Sequence, residues 1–217
     1  MKQTILEYAL RIPAVLIALT LHECAHGWVS YKLGDPTAKN LGRLTLNPIK
    51  HIDPIGFIMM IVIGFGYAKP VPVNSRYYKK PKRDMALVAA AGPLTNIVLA
   101  FVSMILVNLV GLIEVRQETA WFYIFYALYL FLYISATLNV YLAVFNLIPI
   151  PPLDGSRIAF IFLPAKWYFG IMRYERYIMI GFYVLLALGM FTGVLGAVSG
   201  WVLNGMQSLI SLIPIFA

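Results

Sequence analysis

The sequence predicts an all-α polytopic membrane protein with four to five transmembrane helices and a re-entrant or extended (short β) loop on the cytoplasmic side. Of its 217 residues, 61% are hydrophobic and only 12% are charged, whereas soluble domains have roughly 25% charged residues. Several apolar runs are also long enough to cross a hydrocarbon core of about 30 Å. We therefore expect one membrane-embedded domain over residues 1–217.

The positive charges indicate how the chain is oriented in the membrane. The net charge is +8, with ten Lys and Arg between residues 32 and 83 and four between 146 and 176, whereas residues 112–118 hold one Arg and two Glu. Because Lys and Arg are enriched in cytoplasmic loops, the first and third loops are expected on that side. A multi-pass position in the cell membrane thus explains the basic composition without a nucleic-acid partner.

The first predicted span, residues 5–31, contains an ionisable cluster of His22, Glu23 and His26. Residues four apart lie on one face of a helix, so the two imidazoles can bind one Zn²⁺ and Glu23 can reach a water on it. A pair of hydrogen-bonded core histidines is the alternative, but ionisable groups within hydrocarbon usually mark a functional site. Cys24 points away from the ligand face and excludes an intrachain disulfide, because it is the single cysteine. Despite basic residues before the apolar run, we expect this segment to be retained rather than cleaved as a signal peptide.

Residues 32–83 are predicted to form a long structured loop. Asp35 and Asp53 belong to turn-forming strings with neighbouring prolines. The apolar run 55–67 is too short to span and suits a re-entrant or interfacial segment. Two prolines deny helix to residues 68–73 and favour an extended, edge-strand-like run. His51 is interpreted as a hydrogen-bonded loop residue, with a supplementary ligand or inhibitory plug as the alternative.

Three more spans are predicted at residues 85–111, 119–145 and 177–199. Gly92-Pro93 in the second span is either a packing notch and kink or part of the site. The tail, residues 200–217, is predicted to be an interfacial helix or a fifth span. A polar stripe allows both and consists of Asn204, Gln207, Ser208 and Ser211.

The pass count predicts that Asp154 meets the histidine pair. The first span brings His22 and His26 close to the cytoplasmic face, and two more passes return the chain to that face at Asp154. A catalytic zinc site takes three protein ligands, and the other acidic residues fit less well. A turn aspartate before Gly155 is the alternative. If residues 55–67 crossed the membrane, Asp154 would lie on the opposite face.

These motifs resemble the site-2 protease family of intramembrane zinc metalloproteases, in its compact prokaryotic form without a PDZ domain. The matching strings are His22-Glu23-Cys24-Ala25-His26, Gly92-Pro93-Leu94-Thr95-Asn96, residues 146–155 and residues 47–56. The resemblance implies one Zn²⁺ per chain bound by His22, His26 and Asp154, with Glu23 as general base. It also implies that Asn146 holds the substrate or the oxyanion, and that a substrate strand lies beside residues 68–73. Cys24-Ala25 and Ser156 depart from the family's usual Phe-Gly and Gly.

The expected function is hydrolysis of peptide bonds within transmembrane segments of membrane proteins, that is, regulated intramembrane proteolysis. The expected partners are transmembrane protein substrates and the lipid bilayer. A metal-ion transporter or channel is the main alternative, because intramembrane His and carboxylate also mark ion paths. A transporter would place its ligands along a path across the bilayer, whereas here they cluster at one depth. A proteolytically silent relative is a further alternative, against which the intact Glu23 argues.

Overall fold

The computed structural model describes residues 2–63, 68–117 and 119–216. Within these ranges the chain is helical and contains no strand, only an isolated antiparallel bridge between Ile52 and Ala68. The α-helices are α1 (Lys2–Lys32), α2 (Thr37–Asn40), α3 (Pro54–Ile63), α4 (Pro81–Gly111), α5 (Ala120–Asn146), α6 (Asp154–Ala159), α7 (Ala165–Arg173), α8 (Glu175–Ala187) and α9 (Thr192–Ile210). The predicted all-α class is confirmed for the described residues.

Three long helices, α1, α4 and α5, pack against one another and form the centre of the molecule, and α9 lies against α5 and α4. By length and composition, three described helices can cross a membrane: Ile5–Lys32, Pro81–Gly111 and Ala120–Asn146. They coincide closely with the predicted spans 5–31, 85–111 and 119–145. These three helices position the site.

Small side chains let the central helices approach closely. Ala14 and Ala18 of α1 are buried, whereas Ile5, Tyr8 and Ile17 on the same helix are exposed. Large apolar side chains outside and small ones inside are expected in a bilayer, where helices associate by close packing and lipid solvates the apolar surface. The exposed apolar side chains of α1 match a surface in contact with lipid.

The segment between α1 and α4 turns back on itself. Asp53 Oδ1 accepts the backbone N–H groups of Ile55 and Gly56, both at 3.0 Å, and so begins α3. At ten residues, α3 is about 15 Å long, half of a hydrocarbon core. Residues 64–67, the end of the predicted 55–67 segment, lie outside the described residues. The bridge of Ile52 with Ala68 brings the two ends of this segment together.

Residues 177–199, predicted as a fourth span, do not form one continuous helix. Helix α8 ends at Ala187 and α9 begins at Thr192. Gly189 lies between them with φ at +74°, a left-handed conformation that glycine adopts without the steric cost of a side chain. An apolar run can therefore hold a turn that hydropathy does not reveal.

The predicted polar stripe of the tail does not pack inward as a unit. Asn204 and Ser208 are exposed, and only Gln207 pairs with a neighbouring helix, exchanging hydrogen bonds of 3.1 and 3.0 Å with Asn108 of α4. The buried residues on this part of α9 are Met206 and Ile210. The tail thus docks through an apolar face and one amide pair.

Candidate metal centre and active site

Three side chains from distant parts of the sequence meet where the C-terminal part of α1 approaches the start of α6. Nε2 of His22 and Nε2 of His26 are 3.0 Å apart, and each lies 3.2 Å from Oδ2 of Asp154. In the described part of the chain, these residues form the one group of three or more His, Cys, Asp or Glu side chains that could hold a metal ion. The structure therefore brings together all three predicted ligands.

The outer nitrogen of each imidazole has an acceptor. Nδ1 of His26 donates to the carbonyl of Val88 at 2.7 Å, and Nδ1 of His22 donates to Oδ1 of Asn96 at 2.5 Å. A neutral imidazole that carries its proton on Nδ1 has a lone pair on Nε2. Both lone pairs therefore point into the space shared with Asp154, as in metal-binding histidines.

The electrostatics of this space fit a cation. The carboxylate of Asp154 faces Nε2 of both imidazoles. Its Oδ2 is buried and has no hydrogen-bond donor among the described residues. Two lone pairs and a carboxylate oxygen at such distances repel one another unless a proton or a metal ion lies between them. Two imidazoles and one carboxylate match the donors of catalytic Zn²⁺.

Gly92 of α4 leaves the space that this cation needs. A Cβ built on Gly92 would lie 2.6 Å from Nε2 of His22 and closer still to Nε2 of His26. Any side chain here would occupy the centre of the ligand group. Of the two interpretations of Gly92-Pro93, a role in shaping the site is the one that these contacts favour.

The backbone around Asp154 is equally tight. Asp154 is the first residue of α6, and a Cβ on Gly155 would overlap the carbonyl groups of Leu147 and Ile148. Ser156 is fully buried and its Oγ donates to the carbonyl of Leu153 at 2.7 Å. Serine at position 156, where the resembled family usually has glycine, is thus accommodated by one hydrogen bond and does not disturb Asp154.

Glu23 is held by the extended segment that follows α3. Its Oε2 accepts the backbone N–H of Val71 at 2.8 Å, and both residues are buried. This bond fixes one carboxylate oxygen and leaves Oε1 with its acceptor capacity. The sequence contains no signal for Val71, because its contribution is a backbone N–H that every residue except proline has.

The extended segment is attached to the protein at several points. The N–H of Lys69 donates to the carbonyl of His51 at 2.9 Å, and Nη2 of Arg43 donates to the carbonyl of Lys69 at 2.7 Å. The N–H of Asn74 donates to Oδ2 of Asp35 at 2.7 Å. Residues 68–74 therefore reach Glu23 along a fixed path; they are non-helical as predicted and form no ladder of strand pairs among the described residues.

Asp35 is a buried hydrogen-bonding centre. It accepts from the N–H of Asn74, from Oγ of Ser30 at 2.8 Å, and from both the N–H and Oγ1 of Thr37. Burial alone would raise the pKa of Asp35, but these donors stabilise the carboxylate, so its pKa is lowered. The sequence predicts only a turn aspartate at this position, because the donors come from residues up to 39 positions away.

Asn146, expected to hold substrate or oxyanion, lies at the end of α5. Its Nδ2 donates to the carbonyl of Leu142 at 2.9 Å within the same helix. In the described part of the chain, its side chain makes no hydrogen bond to Glu23 or to the three clustered side chains. Its predicted role remains a prediction.

His51 and Cys24 lie outside the ligand group of the described residues. His51 is fully buried, and its Nε2 donates to the carbonyl of Thr45 at 2.8 Å. This geometry matches the interpretation of His51 as a hydrogen-bonded loop residue. Cys24 is a free, partly exposed thiol.

Comparison with known proteins gives a consistent set of relatives. The model of "Peptidase family M50" matches residues 11–111 and 103–192. The chain is 43% identical over 200 residues to "Putative zinc metalloprotease YwhC" of Bacillus subtilis (strain 168), covering 91% of this chain and 88% of that protein. It is 34% identical over 152 residues to "Putative zinc metalloprotease Rip2" of Mycolicibacterium smegmatis, covering 68% of this chain and 55% of that protein. A third relative, "Putative zinc metalloprotease MJ0611" of Methanocaldococcus jannaschii, is 34% identical over 105 residues, 48% of each chain. No solved structure matches the chain significantly.

Proposed function

The chain belongs to peptidase family M50, and from this premise we propose that it is a site-2-protease-like zinc metalloprotease that hydrolyses peptide bonds within transmembrane segments. The observation that carries the proposal is that Asp154 meets His22 and His26. The two histidines lie beside Glu23 on a helix that is long and apolar enough to cross a membrane. We assign His22, His26 and Asp154 as the zinc ligands. When bound, zinc supplies a Lewis acid that acidifies water and polarises the scissile carbonyl.

Glu23 is the general base and later the general acid of this mechanism. Val71 holds Oε2 through its N–H, so Oε1 takes the proton from the attacking water. The same carboxyl group then returns that proton to the leaving amine, which completes peptide hydrolysis. The buried position of Glu23 keeps bulk water away from this transfer.

Asn146 is assigned the role of binding the substrate carbonyl or the developing oxyanion. Its Nδ2 is bonded to Leu142, so rotation of the side chain must exchange that bond for one to substrate. A donor released from its own helix carbonyl in this way acts only when substrate is present. Removal of one such donor in other hydrolases costs about 10²–10³ in kcat.

The depth of the site supports cleavage inside the membrane. His22 and His26 lie ten and six residues before the end of α1 at Lys32, which corresponds to about 15 and 9 Å along the helix axis. The basic residues of the first and third loops favour a cytoplasmic position for this end of α1. A substrate helix has no free peptide bond at this depth, because its backbone is hydrogen-bonded internally, so it must unwind locally.

The bridge between Ile52 and Ala68 supports the same topology. A segment whose two ends pair with each other returns to the side from which it started, as a re-entrant segment does. The number of passes between His26 and Asp154 then stays even, and both reach one face. The clustering of all ligands at one depth gives no support to a transport path across the bilayer.

Cleavage of a single-span substrate by the reconstituted protein tests the proposal. Product termini identified by mass spectrometry should lie within the span, nearer its cytoplasmic end. Replacing glycine in that span by leucine should slow cleavage, since glycine lowers helix stability by about 1 kcal/mol. Cuts confined to extramembrane segments would refute intramembrane proteolysis.

Variants of the site separate chemistry from metal binding. Glu23→Gln should abolish cleavage and keep zinc, because Glu23 is not a ligand, whereas Asp154→Asn should lose zinc. Glu7→Gln, on the same helix about four turns away, is the matched control and should cleave normally. Full zinc retention in Asp154→Asn would contradict the three-ligand assignment.

A further inference from the structure

A chain of buried amides connects His22 with the interior of the helix bundle. Asn96 of α4 accepts from Nδ1 of His22 through Oδ1 and donates through Nδ2 to Oδ1 of Asn139 on α5 at 2.7 Å. Asn139 in turn donates through Nδ2 to the carbonyl of Ser135, 2.8 Å away. Asn96 and Asn139 are 0% and 1% exposed. We propose that Asn139 is a positioning residue that acts through Asn96 and fixes the tautomer of His22; this inference rests on the zinc site proposed above.

The carbonyl of Ser135 sets the direction of the whole chain. A backbone carbonyl can only accept, so Asn139 must turn its NH₂ group toward Ser135 and its oxygen toward Asn96. Asn96 must then turn its NH₂ group toward Asn139 and its oxygen toward His22. Neutral His22 is left with one compatible tautomer, in which Nδ1 carries the proton and Nε2 presents a lone pair to the metal.

Reversal of either amide is costly at this depth. A flipped Asn139 would place its oxygen against the carbonyl of Ser135 and its NH₂ group against that of Asn96. Both contacts would set like groups against each other at buried positions, where a mispaired polar group is costly. The orientation imposed by Ser135 is therefore transmitted to His22 without an alternative of similar energy.

His26 obtains the same control by a shorter route. Its Nδ1 donates directly to the carbonyl of Val88 on α4, which likewise only accepts. Each imidazole is thus oriented by a backbone carbonyl, one directly and the other through two amides. In this way α5 contributes to the metal centre without providing a ligand.

A purely structural role for Asn139 would be to join α4 to α5. A matched residue for this role is Ser103 of α4, which is buried and bonds Oγ of Ser135 at 3.2 Å. Ser103 links the same two helices but has no hydrogen bond to Asn96 or His22 in the described part of the chain. Substitution of Ser103 therefore removes a helix contact and leaves the amide chain intact.

The test compares metal binding by full-length wild type, Asn139→Leu and Ser103→Ala in detergent. Zinc affinity is measured by competition with a chelator, the ligand geometry by the visible absorption of bound Co²⁺, and folding by thermal unfolding with and without zinc. Asn139→Leu should weaken zinc binding about tenfold and change the Co²⁺ spectrum, as loss of a partner behind a metal-binding histidine does. Its zinc-dependent rise in unfolding temperature should shrink, whereas Ser103→Ala should bind zinc as wild type does. Asn139→Ser provides the same test if the leucine variant does not fold.

A second test, in the Asn96→Asp variant, asks whether Asn139 acts by orienting the side chain at position 96. In Asn96→Asp both oxygens of the side chain accept, so His22 keeps its acceptor whichever way the carboxylate turns. In this variant the oxygen of Asn139 faces an acceptor instead of a donor, so addition of Asn139→Leu removes a repulsion and should leave zinc affinity unchanged or raised, against a loss of about tenfold in the wild-type background. An equal loss in both backgrounds, an equal loss in Ser103→Ala, or wild-type zinc binding by Asn139→Leu would overturn the inference alone. Absence of zinc binding by the wild type would overturn the proposed metal site as well.

Discussion

Substitution of Gly92 by alanine should destroy the metal centre and leave the fold intact. The added Cβ would lie 2.6 Å from Nε2 of His22 and closer to Nε2 of His26, whereas non-bonded carbon and nitrogen atoms need more than 3 Å. The imidazole rings are the ends of side chains, so they can turn aside by about 1 Å without moving the backbone. A displacement of about 1 Å at reacting groups costs about 100-fold in rate. We therefore expect Gly92→Ala to lose at least this factor in peptide cleavage and most of its bound zinc.

The stability of the same variant should change little. Alanine is favoured over glycine in a helix interior by about 1 kcal/mol, but the proline ring of Pro93 disfavours a helical residue with a Cβ before it, so the zinc-free variant should unfold close to the temperature of the zinc-free wild type. Gly200→Ala in α9, whose Cβ would meet nothing within 4 Å, is the control and should keep zinc and activity. Zinc content is measured by atomic emission and cleavage by release of substrate fragments. Stoichiometric zinc and normal cleavage in Gly92→Ala would show that the space beside Gly92 is not the metal position.

Two further predictions concern the extended segment. Val71→Pro removes the N–H that holds Oε2 of Glu23, so cleavage should fall about tenfold or more with zinc retained. Val71→Ala keeps that N–H and is the control. Equal activity of both variants would rule out the role of this bond. Asp35, whose pKa is lowered from its ordinary value of 3.8, should stabilise the fold above about pH 4 and lose this contribution as the pH falls through its lower folded-state pKa. Asp35→Asn should lower stability at neutral pH by about 1–3 kcal/mol, since buried donors lose a charged acceptor, and should flatten this acid dependence; unfolding curves at pH 3–7 that parallel the wild type would contradict this account.

Local patterns in the sequence were sufficient for the three long helices and for the histidine pair. Helix length and apolar composition are properties of neighbouring residues, and the spacing of His22 and His26 places both on one helix face whatever surrounds them. Asp154 could be added because the number of membrane passes limits which distant residues share a face. These inferences depend on periodicity and topology, which the sequence displays directly.

The interruption of the helix within residues 177–199 could not be predicted in the same way. These residues are apolar throughout, and an apolar run has the same composition whether or not the chain turns within it. The turn at Gly189 depends on a positive φ, which many glycines in membrane helices do not adopt. Only the tertiary structure decides which glycine ends a helix.

The surroundings of the site were likewise decided by tertiary structure. Asn96 and Asn139 are 43 residues apart, and their order of donors and acceptors depends on a carbonyl that any residue at position 135 would supply. Val71 contributes a backbone N–H, which every residue except proline would supply. The sequence by itself therefore determined which side chains are proposed as metal ligands, because their chemistry belongs to residue type and spacing. The groups that orient those side chains are backbone atoms and buried amides, whose roles exist only once α1, α4 and α5 are packed together.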